Sequence, residues 1–161
     1  MAAKSAEKPP VTLYTFKVAL AGDKSIWRRI EIRSDQTLDD LHEAIFRAFD
    51  RDDEHMYSFY LYPPGSPRGR RGRGAREYAH PMCAEDAETF DDSAPRDASA
   101  TPIADLTLRR GRKFEYLFDY GDSWWHELTV EGADGAPAKE RYPRIVEKHG
   151  DSPPQYPDIE E

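Results

Sequence analysis

The segment YLFDYGDSWWHELTVE, residues 116–131, constrains the fold more than any other part of the chain. Apolar side chains alternate before and after a Gly-Asp-Ser turn, a pattern typical of a β-hairpin buried on one face. His126 belongs to the alternating set of the second strand, together with Trp124, Leu128 and Val130. A histidine on an apolar face needs a hydrogen-bond partner, so this hairpin holds either a site or a satisfied core residue.

A second hairpin and a helix precede it. Residues 12–33 alternate around an Ala-Gly-Asp-Lys-Ser turn, which predicts two more strands. Asp35 or Thr37 can cap the helix that follows, and the two aspartates after Leu38 place negative charge in its first turn. At about 100° per residue, His42 falls inside the apolar stripe of this helix. An unpartnered buried imidazole would cost about 1–3 kcal/mol, so we expect His42 to have a partner.

The order of these elements predicts the fold class. Residues 55–62 are a further strand candidate, and residues 63–100 form a long irregular insertion that is rich in Arg and Gly and then acidic. Hairpin, helix, strand, insertion and hairpin together predict an α+β fold, with one main helix packed on one face of a mostly antiparallel, β-grasp-like sheet. We expect a flexible tail at 1–10, a single domain at 11–135 and an extended C-terminal tail at 136–161.

Composition excludes several classes of protein. The net charge of −8 disfavours attraction of the whole protein to nucleic acid or an anionic membrane. A single cysteine, Cys83, excludes an intrachain disulfide, and the spacing of Cys and His matches no common zinc motif. No apolar run approaches the ~20 residues that span a bilayer. The N-terminus has no apolar signal core, which favours a cytoplasmic protein without a membrane partner.

The two histidines on apolar faces are the candidate site. In a helix-on-sheet fold those faces meet, so His42 and His126 could become neighbours, with Asp119 or Asp122 orienting one ring and His55 approaching from the edge. His42, His55 and His126 could then bind a divalent metal, although no cofactor is assigned. His42, Asp119 and His126 are likewise candidates for general acid–base catalysis. The alternative is that both rings are structural and are held by carbonyl or carboxylate groups.

Two other patterns indicate binding to macromolecules. The aromatic hairpin predicts a partner-binding groove near Trp124, Trp125, His126 and Asp122. The Arg/Gly run could follow a phosphate backbone through Arg68, Arg70, Arg71, Arg73 and Arg76. Alternatively, that run is a solvated loop whose charge is neutralised by the acidic residues just downstream.

Several motifs, taken in order, resemble a known family. TLDDLHEAIFRAFD, EHMYSFYL, YLFDYGDSWWHELTVE and YPRIVEKHGDSPP are similar to segments of the plasmid pRiA4b ORF-3-like proteins, also called MM3350-like. The resemblance covers about Tyr14 to Pro154 except the 63–100 segment. It implies a compact α+β domain of bacteria and mobile elements, without an established activity. The characteristic polar residues of the family fall on His42, His55, Asp119, Asp122, Trp124 and His126.

This chain departs from the family pattern at two positions. Arg51 stands where a tryptophan often follows the helix, and Ile145 stands where a cysteine is common. From all these patterns we expect first a non-enzymatic protein-interaction or regulatory module. The alternatives are a metal-dependent or acid–base enzyme that uses the His/Asp cluster, and weak nucleic-acid binding through the Arg/Gly loop.

Overall fold

The computed structural model describes residues 10–63, 74–85 and 94–153. Within these ranges the chain forms eight strands and two α-helices. The strands are β1 (Leu13–Leu20), β2 (Trp27–Arg33), β3 (Tyr57–Leu61), β4 (Arg76–Ala79), β5 (Arg96–Asp97), β6 (Lys113–Phe118), β7 (Trp124–Gly135) and β8 (Arg144–His149). The helices are α1 (Leu38–Ala48) and α2 (Pro81–Glu85), with short 3₁₀ segments at Ala98–Ala100 and Ile103–Leu106.

The eight strands join one sheet in the order β5-β4-β3-β6-β7-β1-β2-β8. Neighbouring strands are antiparallel except β4 and β5, which are parallel. The hairpin predicted from residues 116–131 forms β6 and β7 and lies at the centre of the sheet. Its strands pair with β3 on one side and with β1 on the other, so its apolar face is the middle of the core.

The predicted fold class is wrong. The molecule is not an α+β, β-grasp-like domain in which a helix covers a small sheet; it is dominated by one mixed eight-stranded sheet with a single main helix. Sequence patterns missed β4 and β5 inside the supposedly irregular insertion, and β8 inside the supposed C-terminal tail. These strands are short and lie at or next to the sheet edges, and β8 is largely exposed. They therefore lack the apolar alternation by which strands are recognised.

The core lies on one face of the central strands. Phe16 of β1, Phe59 of β3 and Phe114 of β6 are fully buried, and Leu41 and Ile45 of α1 belong to the same cluster. The rings of Phe16 and Phe114 meet edge to face, with centroids 5.6 Å apart. Burying each such side chain contributes about 1.5–3 kcal/mol, so this shared core holds α1 and the central strands together.

The start and end of α1 position the residues of the site. Thr37 caps the helix: its side chain accepts a hydrogen bond from the Asp40 amide at 3.2 Å, and the Asp40 carboxylate accepts one from the Thr37 amide at 2.9 Å. Past the other end, Asp50 adopts a left-handed conformation with φ of 56°. The next residue, Arg51, is then buried beside the sheet.

Arg28 of β2 ties the end of α1 to the edge of the sheet. Its Nε donates to the carbonyl of Ala48 at 2.8 Å, and its Nη1 donates to the carbonyls of Trp27 and His149 at 2.9 and 3.0 Å. The Ser152 hydroxyl adds a 2.7 Å hydrogen bond to the carbonyl of Phe49. The C-terminal segment is therefore part of the folded unit and is tied to the end of α1.

Candidate functional site

Tyr116 brings the two buried histidines together. The register of β6 and β7 places Tyr116 opposite His126, and α1 carries His42 over the same tyrosine. The ring centroid of Tyr116 lies 6.0 Å from that of His42 and 5.0 Å from that of His126. Two imidazoles from distant parts of the chain are thus held in contact with one phenol ring in the interior.

His42 is buried in an aromatic pocket. Its Nδ1 lies 2.7 Å from the Tyr116 hydroxyl, and its Nε2 lies 3.5 Å from Glu54 Oε1. Its ring stacks on Tyr57 with centroids 3.9 Å apart. A proton on Nε2 faces the carboxylate and lets the tyrosine hydroxyl donate to Nδ1. Burial, with a smaller contribution from the charges of His80 and Arg51, lowers the pKa of His42 to about 3, so the ring is neutral.

His126 is held by a cation and a carbonyl. Its Nε2 lies 2.9 Å from Arg51 Nη2, and its Nδ1 lies 3.3 Å from the Tyr116 carbonyl. A guanidinium only donates, so Nε2 accepts and the proton is on Nδ1, where it can be donated to the carbonyl. Burial, and then the charge of Arg51, lower the pKa of His126 well below its ordinary value. This ring is also neutral.

Arg51 is a buried cation surrounded by aromatic rings. Its guanidinium carbon lies 5.1 Å from the ring centroid of Phe49, 5.0 Å from Phe118 and 5.4 Å from Trp124. Burial lowers its pKa to about 10, which leaves it charged near neutral pH. Its Nη1 has no hydrogen-bond partner among the described residues, and the same is true of Trp124 Nε1. Each unpaired buried donor costs about 1–3 kcal/mol.

Asp119 is a turn residue in the structure. It has φ of 65°, and its Oδ1 accepts hydrogen bonds from the amides of Gly121 and Asp122 at 3.1 and 3.3 Å. Its Oδ2 lies 3.6 Å from Nε2 of His55. Asp122 itself is exposed. The carboxylate proposed to orient a buried imidazole therefore contacts the half-buried His55 and the hairpin turn, while the ring nitrogens of His42 and His126 have other partners.

The side chains best placed to bind a metal ion are not the three histidines predicted from the sequence. In the described ranges, the group whose ligand atoms all lie within 4.8 Å of one another consists of His42, Glu43 and Glu54. Burial and the neighbouring carboxylates of Glu54 and Asp39 raise the pKa of Glu43, which is the effect that a bound cation would relieve. This cluster could hold a divalent ion through one nitrogen and two carboxylates.

A groove opens at the end of the sheet, between the β1–β2 turn and the start of β7. Its volume is about 470 Å³, and its lining is mainly apolar. We call it the tryptophan groove, defined by Leu20, Ile26, Trp124, Trp125 and Pro153. Of the predicted partner-binding residues, Trp124 and Trp125 line it, Asp122 lies in the turn just before it, and His126 is buried among Arg51, Phe49 and Tyr116.

The predicted nucleic-acid residues lie mostly outside the part of the chain that the structure describes. Arg68, Arg70, Arg71 and Arg73 fall in 64–73, between two described ranges. Arg76 begins β4 and is exposed. Binding of nucleic acid through this run stays a prediction.

Comparison with known proteins agrees with the motifs and the fold. The protein family described as "Plasmid pRiA4b ORF-3-like protein" matches residues 12–159, which is nearly the whole chain. The chain belongs to the plasmid pRiA4b ORF-3-like family. The resemblance inferred from the ordered motifs is therefore confirmed.

Two proteins are similar to this pRiA4b ORF-3-like chain. The uncharacterized protein y4hQ of Sinorhizobium fredii is 28% identical over 131 residues, a match that covers 81% of this chain and 58% of y4hQ. The crystal structure of MM3350, a protein of unknown function from Methanosarcina mazei, has a TM-score of 0.67 at 22% identity, covering 91% of this chain and 74% of that one. This second likeness concerns the fold alone.

No helix in the described ranges has the length and apolar character needed to cross a membrane.

Four residues of the site in this pRiA4b ORF-3-like chain are not among the candidates predicted from the sequence: Arg51, Tyr116, Glu43 and Glu54. Arg51 stands out in the sequence only as a departure from the family pattern, yet it is the hydrogen-bond partner of His126. Tyr116 belongs to the alternating aromatic residues of the first strand of the hairpin, and its hydroxyl contacts His42. Glu43 and Glu54 carry no sequence signal that marks them as metal ligands. A signal was available for Tyr116: two histidines on apolar faces require polar partners, and a tyrosine hydroxyl is a partner that an aromatic core can supply.

Proposed function

We propose that this chain is a non-enzymatic, cytoplasmic protein-interaction module whose tryptophan groove accepts an apolar segment of a partner protein. The observation that carries the proposal is the groove itself, in which two adjacent tryptophans, a leucine, an isoleucine and a proline meet at one end of the sheet. Tryptophan is enriched among the residues that dominate binding energy at protein interfaces. A volume of about 470 Å³ lies within the ~300–1,000 Å³ typical of ligand pockets.

The state of the two histidines supports a binding role over acid–base catalysis. A general base must reach the proton that it abstracts, with a free lone pair and a pKa near the working pH. His42 and His126 are each 1% exposed, and both nitrogens of each ring already face a protein group. Their lowered pKa values keep them neutral. These properties are those of residues that organise a core.

A comparison of two tryptophan variants tests the proposal. Trp125→Ala removes a ring that lines the groove. Trp27→Ala is the control, because the Trp27 ring stacks on His149 and does not line the groove. Tagged wild type and both variants are used to capture proteins from lysate of a bacterial host, and thermal unfolding confirms that each variant folds. We expect a stoichiometric partner that binds wild type and Trp27→Ala and is lost with Trp125→Ala.

Two outcomes would refute the proposal. The first is a partner retained equally by wild type and Trp125→Ala, because binding would then not involve the groove. The second is the absence of any stoichiometric partner at protein concentrations of about 10 μM, at which an interface of even micromolar affinity would be well populated.

The cluster of His42, Glu43 and Glu54 supports a second candidate function, the binding of a divalent cation. Ligand atoms within 4.8 Å of one another are the specific observation in its favour. Titration of the full chain with zinc or manganese tests it by calorimetry, with Glu54→Gln as the variant and Glu77→Gln, on β4, as the control. Binding near one equivalent that Glu54→Gln abolishes would support this function; equal binding by wild type and Glu54→Gln would remove it.

A further inference from the structure

Two hydrogen-bond donors beside the tryptophan groove are buried without acceptors. Nη1 of Arg51 and Nε1 of Trp124 are shielded from solvent and have no partner among the described residues. Arg51 is 6% exposed as a whole residue. Buried donors in proteins are almost always paired, so two unpaired donors in adjacent side chains require an explanation.

The side chains of Arg51 and Trp124 lie against each other. The guanidinium of Arg51 lies over the indole ring of Trp124, 5.4 Å from its centroid. Trp124 also lines the tryptophan groove. The indole therefore connects the buried cation to the surface that we propose for partner binding.

Arg51 and Arg28 lie against the same Phe49 ring, but their positive charges are compensated differently. Arg28, whose guanidinium lies 4.8 Å from the same Phe49 ring, donates to three carbonyl groups and is influenced by the carboxylates of Asp50 and Asp151. Arg51 donates through Nη2 to the neutral ring of His126, and it forms no ion pair with a carboxylate of the described residues. An isolated buried cation is costly unless an anion or strong acceptor meets it.

We infer that Arg51 and Trp124 form a subsite of the tryptophan groove that binds a carboxylate of the partner segment, next to an apolar side chain. This inference rests on the proposed function. Because both donors are shielded from solvent in the unbound protein, the Trp124 side chain must shift to admit the carboxylate. One oxygen then accepts from Arg51 Nη1, and the same or the second oxygen accepts from Trp124 Nε1. A carboxylate is favoured over a phosphate because one guanidinium balances a single negative charge, whereas a phosphate dianion would leave one charge uncompensated in a buried site.

Nuclear magnetic resonance of the full chain tests this subsite with two matched probes. N-acetyl-leucine carries a carboxylate beside an apolar side chain, and N-acetyl-leucinamide replaces the carboxylate with a neutral amide. The three indole N–H signals are assigned with Trp124→Phe, Trp125→Phe and Trp27→Phe. We expect the acid to move the Trp124 indole signal downfield and to bind at least tenfold more tightly than the amide.

Two variants test the subsite separately from the rest of the groove. Arg51→Gln should abolish the preference for the acid, so that the acid and the amide bind equally when binding is followed by the Trp125 indole signal. Trp124→Phe, which removes the second donor and also makes the ring smaller, should reduce the preference severalfold. If Arg51→Gln fails to fold, the result with Trp124→Phe still decides whether these donors produce the preference for the acid.

The possible failures are distinguishable. Equal binding of acid and amide in the groove, with the Trp124 signal unmoved, would overturn the carboxylate subsite and leave the proposed function standing. Inorganic phosphate that moves the Trp124 signal as strongly as N-acetyl-leucine would overturn the selectivity for a carboxylate. Binding of neither probe at the groove signals of Leu20, Ile26 and Trp125 would overturn the subsite, while the capture experiment separately decides the proposed function.

Discussion

Replacing His42 with Phe tests whether this ring is a neutral core residue. Burial lowers its pKa from an ordinary 6.5 to about 3, so the unfolded chain binds the proton more readily than the folded one. The stability that comes from keeping the ring neutral is complete above pH 6.5 and is lost as the pH falls from 6.5 towards 3. Phe has no proton to bind, so the variant lacks this part of the pH dependence.

The size of the effect follows from the pKa difference. Each pH unit inside the window changes the free energy of unfolding by about 1.36 kcal/mol. Acidification from neutral pH to about 4.5, roughly two units below the unfolded pKa, therefore costs the wild type ~2.7 kcal/mol through His42. His126, whose pKa is also lowered, adds a loss of the same sign in both proteins. The wild type should thus lose ~2.7 kcal/mol more than His42→Phe.

Denaturant unfolding followed by tryptophan fluorescence at pH 7.5 and 4.5 measures this difference. Ile45→Val, in the same helix, is the control: it should lose about 0.5–1.5 kcal/mol at both pH values and keep the wild-type pH dependence. Identical pH dependence in wild type and His42→Phe would refute the reasoning. So would a wild type that is stabilised relative to His42→Phe on acidification, because that result requires the folded protein to favour the imidazolium form of His42.

Three further changes have expected outcomes in denaturant unfolding. Tyr116→Phe should lower the free energy of unfolding by about 1–3 kcal/mol, because Nδ1 of His42 loses its donor; an unchanged value would contradict that bond. Arg28→Met should cost about 3 kcal/mol or more, since three carbonyl groups lose a charged donor, and hydrogen exchange should show β8 opening first. Thr37→Ala should cost about 1 kcal/mol through the lost cap, and Thr37→Ser should retain most of the wild-type stability.

Local patterns predicted the centre of the molecule well. The period-two alternation around His126 corresponds to strands whose inward faces are buried, and the helical stripe that contains His42 is buried as expected. Each pattern reports how one element meets the core, which is decided by the hydrophobicity of its own residues. That is why the burial of both histidines could be inferred before their partners were known.

The partners themselves could not be inferred. Arg51 and His126 are 75 positions apart in the chain, and no local pattern gives the distance between such residues. An arginine after a helix is ordinarily a solvated side chain that favours the negative end of the helix dipole, so its burial was unexpected. The extent of the sheet was missed for a related reason, since β8 is recruited through backbone pairing with β2 rather than through an apolar face of its own.

The burial of Arg51 sets a cost in stability against a gain in binding. A buried cation with an unpaired donor is expensive for a folded protein, and such costs are commonly tolerated at functional sites. In this molecule the cost is located beside the tryptophan groove. A bound carboxylate would pair both donors and would make ligand binding stabilise the fold.

Photo-crosslinking tests most directly whether function resides in the groove or at the buried histidines. A benzophenone side chain is placed in one protein at Ser123, which lines the groove, and in another at Glu54, which is 58% exposed beside His42. If the groove is the functional site, irradiation in lysate should attach the captured partner through position 123 and give little product through position 54. Attachment through position 54 with none through position 123 would contradict this and would place the functional surface at the His42 cluster.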